Sequence, residues 1–295
     1  MRKIVVAEEY AGYEINRYLR DVEGFSGRGL RKMTLFLNKK AVKSGEKKLK
    51  SGDIIGVVEE KKGTNLEPIE MEIDIVYEDR NILIVNKPPF LVTHPTAKKV
   101  DKTLANGILH YFQSRGMDVI PRFYNRLDMN TSGMIVIAKN GYSQAFLQNF
   151  GEVNKKYIAI VKGIIKEEEF YIDKKIAVSA DGIKREIRDD GQEAKTKIVV
   201  MKRDVEKDIT IVEAELFSGR THQIRVHMKY IGHSVVGDPI YSRKKTPFEI
   251  KGQALHAYKL GFHHPNTHEY MVFTAPIPDD INSILNILRK RKRGE

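Results

Sequence analysis

Apolar residues recur at helical spacing near the start of the chain and at strand spacing soon after. Residues 15–22 place apolar side chains at i, i+4 and i+7, which predicts an amphipathic helix, and residues 30–37 show a related spacing, which predicts a second short helix. Strands are predicted at residues 39–42 and 53–58. Residues 1–63 are therefore expected to form a small module that mixes helices and strands.

The rest of the chain combines short strands and helices. Strands are predicted at residues 71–77, 83–85, 134–138, 157–161, 196–201, 210–216 and 260–262. Helices are predicted at residues 103–112, 141–150 and 221–230, and from an N-cap at Asp280 onward. Because strands and helices do not alternate in a regular βαβ order, the sequence favours an α+β fold with a mixed sheet over a doubly wound parallel sheet.

A polar stretch separates these two parts of the chain. Residues 59–68 are rich in charge, contain a glycine and a proline, and have little apolar periodicity, which is typical of a linker. We therefore expect a domain boundary near residue 65, with a first domain at residues 1–63 and a second at residues 64–295.

The charge of the chain narrows the class of partner. There are 51 Lys or Arg residues against 39 Asp or Glu, a net charge of +12. Residues 1–63 hold 15 basic and 9 acidic residues, so half of the surplus lies in that segment. The longest apolar runs have five residues or fewer, whereas a membrane-spanning helix needs about 20. A nucleic acid is therefore the polyanion that we expect this protein to bind.

Cysteine is absent, which excludes disulfides, iron–sulfur clusters, thiolate zinc sites and a cysteine nucleophile. The basic and apolar start of the chain ends at Glu8 and Glu9, and it is too short for a secretory signal peptide, whose apolar part has about 7–15 residues. A chain without cysteine suits a reducing compartment, so we expect a soluble cytoplasmic protein.

One candidate site directly precedes a predicted buried strand. Arg126 and Asp128 stand beside a Thr-Ser-Gly turn at residues 131–133, before the apolar residues 134–138. Charged side chains next to a buried strand are costly unless they are paired or used in chemistry. A simpler interpretation is a capped turn, in which Asp128 or Thr131 accepts backbone hydrogen bonds and Arg126 is solvated.

A second candidate site lies at residues 219–227, with the sequence GRTHQIRVH. Thr221 is predicted to cap a helix, and Arg225 lies one helical turn further on. Arg220 is a cation at the predicted helix N-terminus, where it opposes the helix dipole, so an anion or a carboxylate is expected to compensate it. The alternative is a helix whose polar residues face water.

Metal and nucleotide chemistry have little support in the sequence. Most of the nine histidines cluster in the last third of the chain. However, His222 and His227 are five residues apart, so on a helix their side chains diverge by about 140°. No nearby acidic pair completes a ligand set, and no glycine-rich phosphate loop is found. The sequence therefore predicts no metal site and no cofactor, and a histidine-metal phosphodiesterase is the weakest alternative.

Taken in order, the motifs resemble the RluA type of RNA pseudouridine synthases, the branch associated with large-subunit ribosomal RNA. The matching segments are residues 76–79 (VYED), 85–88 (VNKP), 94–95 (HP), 126–128 (RLD), 131–133 (TSG), 138–139 (AK), 156–163 (KYIAIVKG), 219–227, 232–233 (GH), 237–238 (GD), Tyr241, 255–257 (LHA) and 264–265 (HP). Residues 1–63 resemble an S4-type RNA-binding module. The resemblance spans roughly residues 10–275 and implies a largely antiparallel sheet around a central active-site cleft.

Two positions depart from the pattern of that family. Asn125 stands where the family usually has a histidine before the Arg-Leu-Asp motif. Residues 14–16 (EIN) replace the usual Arg-Leu-Asp opening of the S4 module, which here also lacks the usual Val-Asn-Gly turn.

The resemblance also implies a reaction and roles for individual side chains. The reaction is the isomerisation of uridine to pseudouridine, with Asp128 as the essential aspartate, acting either as nucleophile or as general base. Arg225 would pair with that carboxylate, and Tyr157 would stack on the uracil and take part in proton transfer. Arg126 would hold the flipped nucleotide. Ile224 is either a wall for the base or an ordinary core residue.

Partners follow from the same resemblance. Arg28, Arg31 and Lys32 of the S4-like module would bind RNA phosphates. Ribosomal RNA is the expected substrate, transfer RNA is the second choice, and a monomer is the expected state. The alternative function is a noncatalytic RNA-binding protein on a synthase scaffold, against which the complete set of candidate catalytic residues argues.

Overall fold

The structure, a computed structural model, describes residues 2–25, 27–31, 33–42, 45–59, 64–95, 102–242 and 248–290. Within these residues, the first part of the chain forms a four-stranded antiparallel sheet and two short helices. The elements are β1 (Arg2–Val5), α1 (Ile15–Asp21), α2 (Gly27–Leu30), β2 (Met33–Leu37), β3 (Lys40–Ala41) and β4 (Ile54–Glu59), with the strands in the order β1-β4-β2-β3.

The helix predicted over residues 30–37 is wrong. α2 ends at Leu30 and a strand, β2, begins at Met33. The apolar spacing does not separate the two structures, because Leu35 and Leu37 also fit the period of two that a half-buried strand shows. Both side chains are buried, and the backbone of β2 pairs with β4, which the local pattern does not reveal. β1 has no counterpart among the strands predicted from the sequence.

The apolar core of this first part extends into the second part. Ile15 of α1 and Phe25 belong to one cluster with Tyr142 and Phe146, which lie far along the chain. The rings of Phe25 and Tyr142 are 4.7 Å apart. The boundary predicted near residue 65 follows a gap in the described residues, and the division into domains at residues 1–63 and 64–295 stays a prediction.

The second part is built on a sheet that has ten strands within the described residues. They are β5 (Ile75–Glu78), β6 (Ile82–Lys87), β7 (Arg122–Phe123), β8 (Ser132–Ala138), β9 (Asn154–Lys162), β10 (Glu169–Asp173), β13 (Lys195–Asp204), β14 (Ile209–Leu216), β15 (Leu255–His263) and β16 (Tyr270–Thr274). Their order is β10-β13-β14-β9-β15-β8-β6-β5, with β16 beside β15 and β7 beside β8. β8 and β15 run parallel and the other neighbours antiparallel, which confirms the predicted α+β class with a mixed, largely antiparallel sheet.

Helices and a small hairpin surround this sheet. The helices are α3 (Leu104–Ser114), α4 (Gly141–Asn149), α5 (Gln223–Tyr230) and α6 (Asp279–Lys290), and the hairpin joins β11 (Ile176–Val178) to β12 (Arg185–Ile187). α6 begins one residue before its predicted cap, Asp280. The strands that the sequence analysis missed here, β7, β10, β11, β12 and β16, have five residues or fewer. In the part of the chain that is described, no helix has the length and apolarity needed to cross a bilayer.

The central strands are buried on both faces. On β6, Leu83 and Val85 face the core that α3 covers, while Ile82 and Ile84 face a second core on the opposite side of the sheet. β8 is buried along its whole length. Such strands need continuous apolar runs rather than alternation, which is the pattern that the sequence shows at these positions. The loop that leads into β8 is therefore joined to a strand that is buried along its whole length.

Candidate active site

A pocket of about 380 Å³ lies where the loop before β8, the start of β9 and the segment before α5 meet. Arg126, Asp128, Tyr157, Ile224 and Arg225 all line this pocket. The structure thus brings together the five residues that the sequence analysis proposed for catalysis and substrate binding, although up to 99 positions separate them along the chain.

The backbone on both sides of Asp128 is held by buried side chains. The hydroxyl of Thr93 donates a hydrogen bond of 2.9 Å to the carbonyl oxygen of Leu127. The ammonium group of Lys87 donates one of 3.0 Å to the carbonyl oxygen of Met129. The position of the Asp128 carboxylate is therefore fixed from the interior of the protein.

Lys87 is fully buried at the end of β6 and makes more than this one contact. Its nitrogen also donates to the carbonyl oxygens of Pro88, at 2.8 Å, and Leu91, at 2.9 Å. Three carbonyl acceptors match the three N–H bonds of an ammonium group. Burial lowers the pKa of Lys87 to about 7, and the negative charge of Asp128 acts in the opposite direction. The sequence analysis quoted the motif that contains Lys87 but gave this residue no role.

Two further residues shape the loop. The Asn125 side chain accepts a hydrogen bond of 2.9 Å from the Val136 amide and donates one of 3.1 Å to the Met134 carbonyl, so it takes the place of a strand partner for β8. Gly133 has a φ of +117°, and a Cβ there would collide with the backbone of Ala257 on β15. The Thr-Ser-Gly turn therefore needs glycine, because two parallel strands meet closely at this point.

Arg225 joins two carboxylates below the pocket. Its Nη1 donates to Oδ2 of Asp128 at 2.7 Å. Its Nε and Nη2 donate to the two oxygens of Asp238 at 2.6 and 2.9 Å, which forms a bidentate pair. Burial opposes the charged form of Arg225, but the hydrogen bonds with Asp238 and the charges of both aspartates outweigh it and raise its pKa.

Asp238, like Lys87, lies in one of the motifs described above but has no function predicted from the sequence. Its Oδ1 also accepts hydrogen bonds from the backbone amides of Ile240 and Tyr241, at 2.9 and 3.0 Å. Burial opposes the ionised form of Asp238, but Arg225 and these amides outweigh it and lower its pKa. The aspartate thus holds the guanidinium in the orientation that reaches Asp128.

The predicted cap of α5 is wrong. The helix begins at Gln223, and the residue before it is His222, which adopts a left-handed conformation with a φ of +60°. The Thr221 hydroxyl does not cap the helix but accepts a hydrogen bond from the guanidinium of Arg126. The buried side chain of Gln223 instead accepts hydrogen bonds from the turn, at the Arg220 amide and the Ser218 hydroxyl.

Arg126 and Arg220 lie at the exposed side of the pocket. The Nε of Arg220 donates to the backbone carbonyl oxygen of Glu193 at 3.0 Å, which is a neutral acceptor and not the anion or carboxylate that was expected to compensate this cation. Arg126 is solvated as the simpler interpretation held, yet it also joins the Asp128 loop to the segment before α5.

His222 faces the catalytic candidate, which the sequence analysis did not anticipate. Its Nε2 lies 3.8 Å from Oδ2 of Asp128, and its Nδ1 lies 2.8 Å from the hydroxyl of Tyr241. That hydroxyl already accepts a hydrogen bond from the Arg185 amide, so its proton is free to be donated to Nδ1. Burial lowers the pKa of His222, which favours a neutral ring with the Nε2 proton directed at the pocket.

Tyr157 and Ile224 form apolar surface in the pocket. Tyr157 is buried, and its hydroxyl makes no hydrogen bond with the described residues. Burial and the charge of Asp128 raise the pKa of Tyr157, so the phenol is neutral at physiological pH. Ile224 is buried in the main core and also lines the pocket, and its role as a wall for the base stays a prediction.

The residues proposed to bind RNA lie elsewhere or are not described. Arg31 is exposed in the turn between α2 and β2, and it does not line the pocket. The backbone of Arg28 belongs to α2. Lys32 lies outside the described residues. Among the residues that the structure describes, no group of three or more His, Asp or Glu side chains is arranged to hold a metal ion.

Comparisons with known proteins define the class. A sequence model of the RNA pseudouridylate synthase family matches residues 81–230. An uncharacterized RNA pseudouridine synthase of Bacillus subtilis, YlyB, is 37% identical over 300 residues, which cover 97% of this chain and 98% of that protein. Ribosomal large subunit pseudouridine synthase D of Neisseria meningitidis serogroup A is 36% identical over 287 residues, covering 88% of this chain and 74% of that protein.

Solved structures agree. The structure of human RNA Pseudouridylate Synthase Domain Containing 1 superposes with a TM-score of 0.55 and 25% identity, over 77% of this chain and 97% of that one. The fold is also that of human RNA Pseudouridylate Synthase Domain Containing 4, with a TM-score of 0.59, over 73% of this chain and 93% of that one. The chain therefore belongs to the RNA pseudouridine synthase family, and it is an enzyme that isomerises uridine in RNA.

Proposed function

We propose that this enzyme isomerises specific uridines of ribosomal RNA and that Asp128 is its essential catalytic residue. The observation that carries this proposal is the Asp128 carboxylate, which lines an open pocket and is held at 2.7 Å by the buried guanidinium of Arg225. A fixed carboxylate that lines a pocket with apolar walls is suited to act on a nucleoside that has entered it.

The reaction breaks the bond between ribose C1′ and uracil N1, turns the uracil and joins its C5 to C1′. The proton on C5 is then lost and N1 gains one, so atoms and charge balance without an external reagent. Asp128 begins the reaction as a nucleophile on the sugar or as a base, and both routes use its carboxylate. Arg225 keeps this group oriented in the poorly solvated pocket.

The remaining residues of the pocket have positioning roles in this proposal. The ring of Tyr157 supports the uracil, and its neutral phenol donates a hydrogen bond to the substrate. Ile224 closes the wall beside it. Arg126, exposed at the mouth, holds the RNA strand once the target nucleotide has flipped out, which costs a few kcal/mol.

Two observations support ribosomal RNA as the substrate. Several relatives are named ribosomal large subunit pseudouridine synthase D, among them the proteins of Neisseria meningitidis and Zymomonas mobilis. The net charge of +12, half of it in residues 1–63, suits a large folded RNA. In this proposal, that first segment is an S4-like module that binds RNA through Arg28, Arg31 and Lys32, and the enzyme works as a cytoplasmic monomer.

Pseudouridine mapping in total RNA from cells with and without this protein tests the proposal. The expected result is the loss of pseudouridine at defined positions of ribosomal RNA, restored by the wild-type chain. If pseudouridine is lost from transfer RNA instead, the substrate is transfer RNA and not ribosomal RNA. An unchanged map, together with RNA binding by the purified protein, would favour a noncatalytic RNA-binding protein.

A further inference from the structure

Two consecutive lysines on β9 lie in opposite environments. Lys156 points to one face of the sheet, where its ammonium group contacts Glu213 at 2.7 Å and Glu215 at 3.8 Å. Lys155 is on the other face and lines the pocket, as does Tyr157 two residues further on. This alternation follows from the period of two in a strand.

Lys155 has no compensating group within the described residues. Its ammonium group takes part in no hydrogen bond or ion pair there, whereas that of Lys156 has two carboxylates. Its neighbours across the sheet are Leu216 on β14 and Leu260 on β15, which are both apolar. The side chain is half-buried, and burial lowers the pKa of Lys155. An uncompensated cation in such a position is costly to folding, and an anionic ligand bound there would compensate it.

The position of the ammonium group identifies the end of the pocket that it serves. A methyl group placed on Gly219 would lie 3.9 Å from Nζ of Lys155. Gly219 and the neighbouring Arg220 are exposed, while Tyr157 is buried deeper in the pocket. The Lys155 side chain therefore extends from β9 towards the exposed mouth of the pocket, close to Gly219 and its neighbour Arg220.

The charges around the mouth are suited to an anion. Among the described residues that line the pocket, Asp128 is the one acidic side chain, and it is already bound by Arg225. Arg126 and Arg220 add positive charge on the exposed side. The lining thus has more positive than negative charge before substrate enters.

We propose that Lys155 binds a phosphodiester group next to the target nucleotide and so anchors the RNA backbone at the mouth while the base occupies the pocket. This proposal rests on the proposed function, because it assumes that a nucleotide of RNA enters this pocket. A phosphodiester is the anion that every flipped nucleotide carries at the mouth, and it replaces the carboxylate partners that Lys156 has and Lys155 lacks.

The experiment compares three variants on an RNA hairpin that carries a mapped target uridine. Lys155→Met removes the charge but keeps the length of the side chain among apolar neighbours. Lys155→Arg keeps the charge. Lys156→Met removes one charge from the adjacent residue, so it controls for the general loss of attraction. The hairpin is made with natural linkages and with neutral methylphosphonate linkages beside the target uridine.

Lys155→Met is expected to weaken the affinity for the natural hairpin about tenfold and to reduce the slope of log affinity against log salt by about one. The turnover number at saturating RNA should stay within about twofold of wild type. On the methylphosphonate hairpin, wild type and Lys155→Met should bind alike. Lys155→Arg should restore most of the affinity, and Lys156→Met should leave it unchanged. Thermal unfolding of Lys155→Met should occur at the wild-type temperature or above, because an uncompensated cation is removed.

Equal affinities of wild type and Lys155→Met for the natural hairpin would overturn the inference. So would a loss of turnover at saturating RNA with unchanged affinity, since the ammonium group would then act on the departing uracil. If the wild-type protein converts no uridine in the hairpin, the proposed function fails, and the affinity ratio still decides whether Lys155 contacts a phosphate.

Discussion

Two Arg–Asp pairs in this protein share the same bidentate geometry but lie in opposite surroundings. Arg225 and Asp238 meet at 2.6 and 2.9 Å, with side chains that are 3% and 0% exposed. Arg188 and Asp190, beside the β11–β12 hairpin, meet at 2.7 Å through both contacts, with side chains that are 47% and 67% exposed. The two pairs therefore differ in how far their side chains are exposed to solvent, and not in their bidentate hydrogen bonding.

The two pairs differ in what the loss of one partner would cost the protein. Water and salt screen the exposed pair, which closes a turn locally. Loss of either partner of the buried pair removes two hydrogen bonds from a charge in the interior, and the pair also sets the position of the guanidinium that holds Asp128. Burial thus links the stability of the core to the geometry of the candidate active site.

The strongest test of this contrast replaces each aspartate by asparagine. Asp238→Asn should lower the free energy of unfolding by about 3 kcal/mol, because the buried Arg225 loses its bidentate partner and keeps only Asp128 as a carboxylate partner. It should also reduce turnover by on the order of 10²-fold, since Arg225 no longer holds Asp128 in place. Asp190→Asn, the matched control, should change neither the melting temperature nor the turnover. Similar losses in both variants would show that burial is not what separates the two pairs.

A second test concerns the other buried cation near the site. Lys87→Met should lower the free energy of unfolding by about 2–3 kcal/mol, because three carbonyl oxygens lose their donor. Chemical denaturation measures this loss, and Lys166→Met, at an exposed position, is the control. The account of Lys87 is contradicted if the two variants unfold at the same denaturant concentration.

Tyr241 connects the β11–β12 hairpin to the pocket. Its hydroxyl accepts a hydrogen bond from the Arg185 amide of β12 and lies 2.8 Å from Nδ1 of His222. Tyr241→Phe should reduce turnover about tenfold, the scale of one net hydrogen bond. Since burial lowers the pKa of His222, the loss of wild-type activity that protonation of this ring causes should be confined to more acidic solution than for an exposed histidine.

Loss of the tyrosine hydroxyl removes the donor that stabilises the neutral ring. The pKa of His222 should therefore rise in Tyr241→Phe, and the acid limb of the pH–rate profile should move to higher pH. An acid limb that stays in place in the variant would exclude this role for the hydroxyl.

The smallest effect is expected for an exposed residue that does not line the pocket. Arg31→Gln, in the first part of the chain, should weaken RNA binding about threefold and flatten its salt dependence, without a change in turnover or melting temperature. Filter binding across a salt series measures it. Unchanged affinity at every salt concentration would count against an RNA-binding role for this segment.

The sequence predicts which residues belong to the candidate site, but it does not predict the hydrogen bonds and ion pairs that join them. Motifs identify Asp128 and Arg225, yet the two residues are 97 positions apart along the chain, and no local pattern shows the contact that joins them. Lys87 and Asp238 were parts of quoted motifs without a role, because their function lies in buried hydrogen bonds to distant backbone. His222 was missed because its left-handed conformation directs its ring toward Asp128.

The fold shows the same division between local and distant information. Strands with long apolar runs, such as β8, were predicted nearly at their bounds, since burial on both faces leaves a clear pattern. β2 was predicted as a helix because its spacing fits both structures, and pairing with β4 decides between them. The prediction of Thr221 as the N-cap of α5 failed for the same reason. The N-cap is His222, and the Thr221 hydroxyl instead accepts a hydrogen bond from Arg126 on another loop.

The most direct test of the central claim is single-turnover conversion of a mapped ribosomal RNA hairpin by Asp128→Asn, with RNA affinity measured on the same preparation. The substitution keeps the shape of the side chain and removes its charge and nucleophilic oxygen. The account predicts that conversion falls at least about 10³-fold while affinity stays within about threefold of wild type. Conversion at the wild-type rate by a variant that binds RNA normally would contradict it.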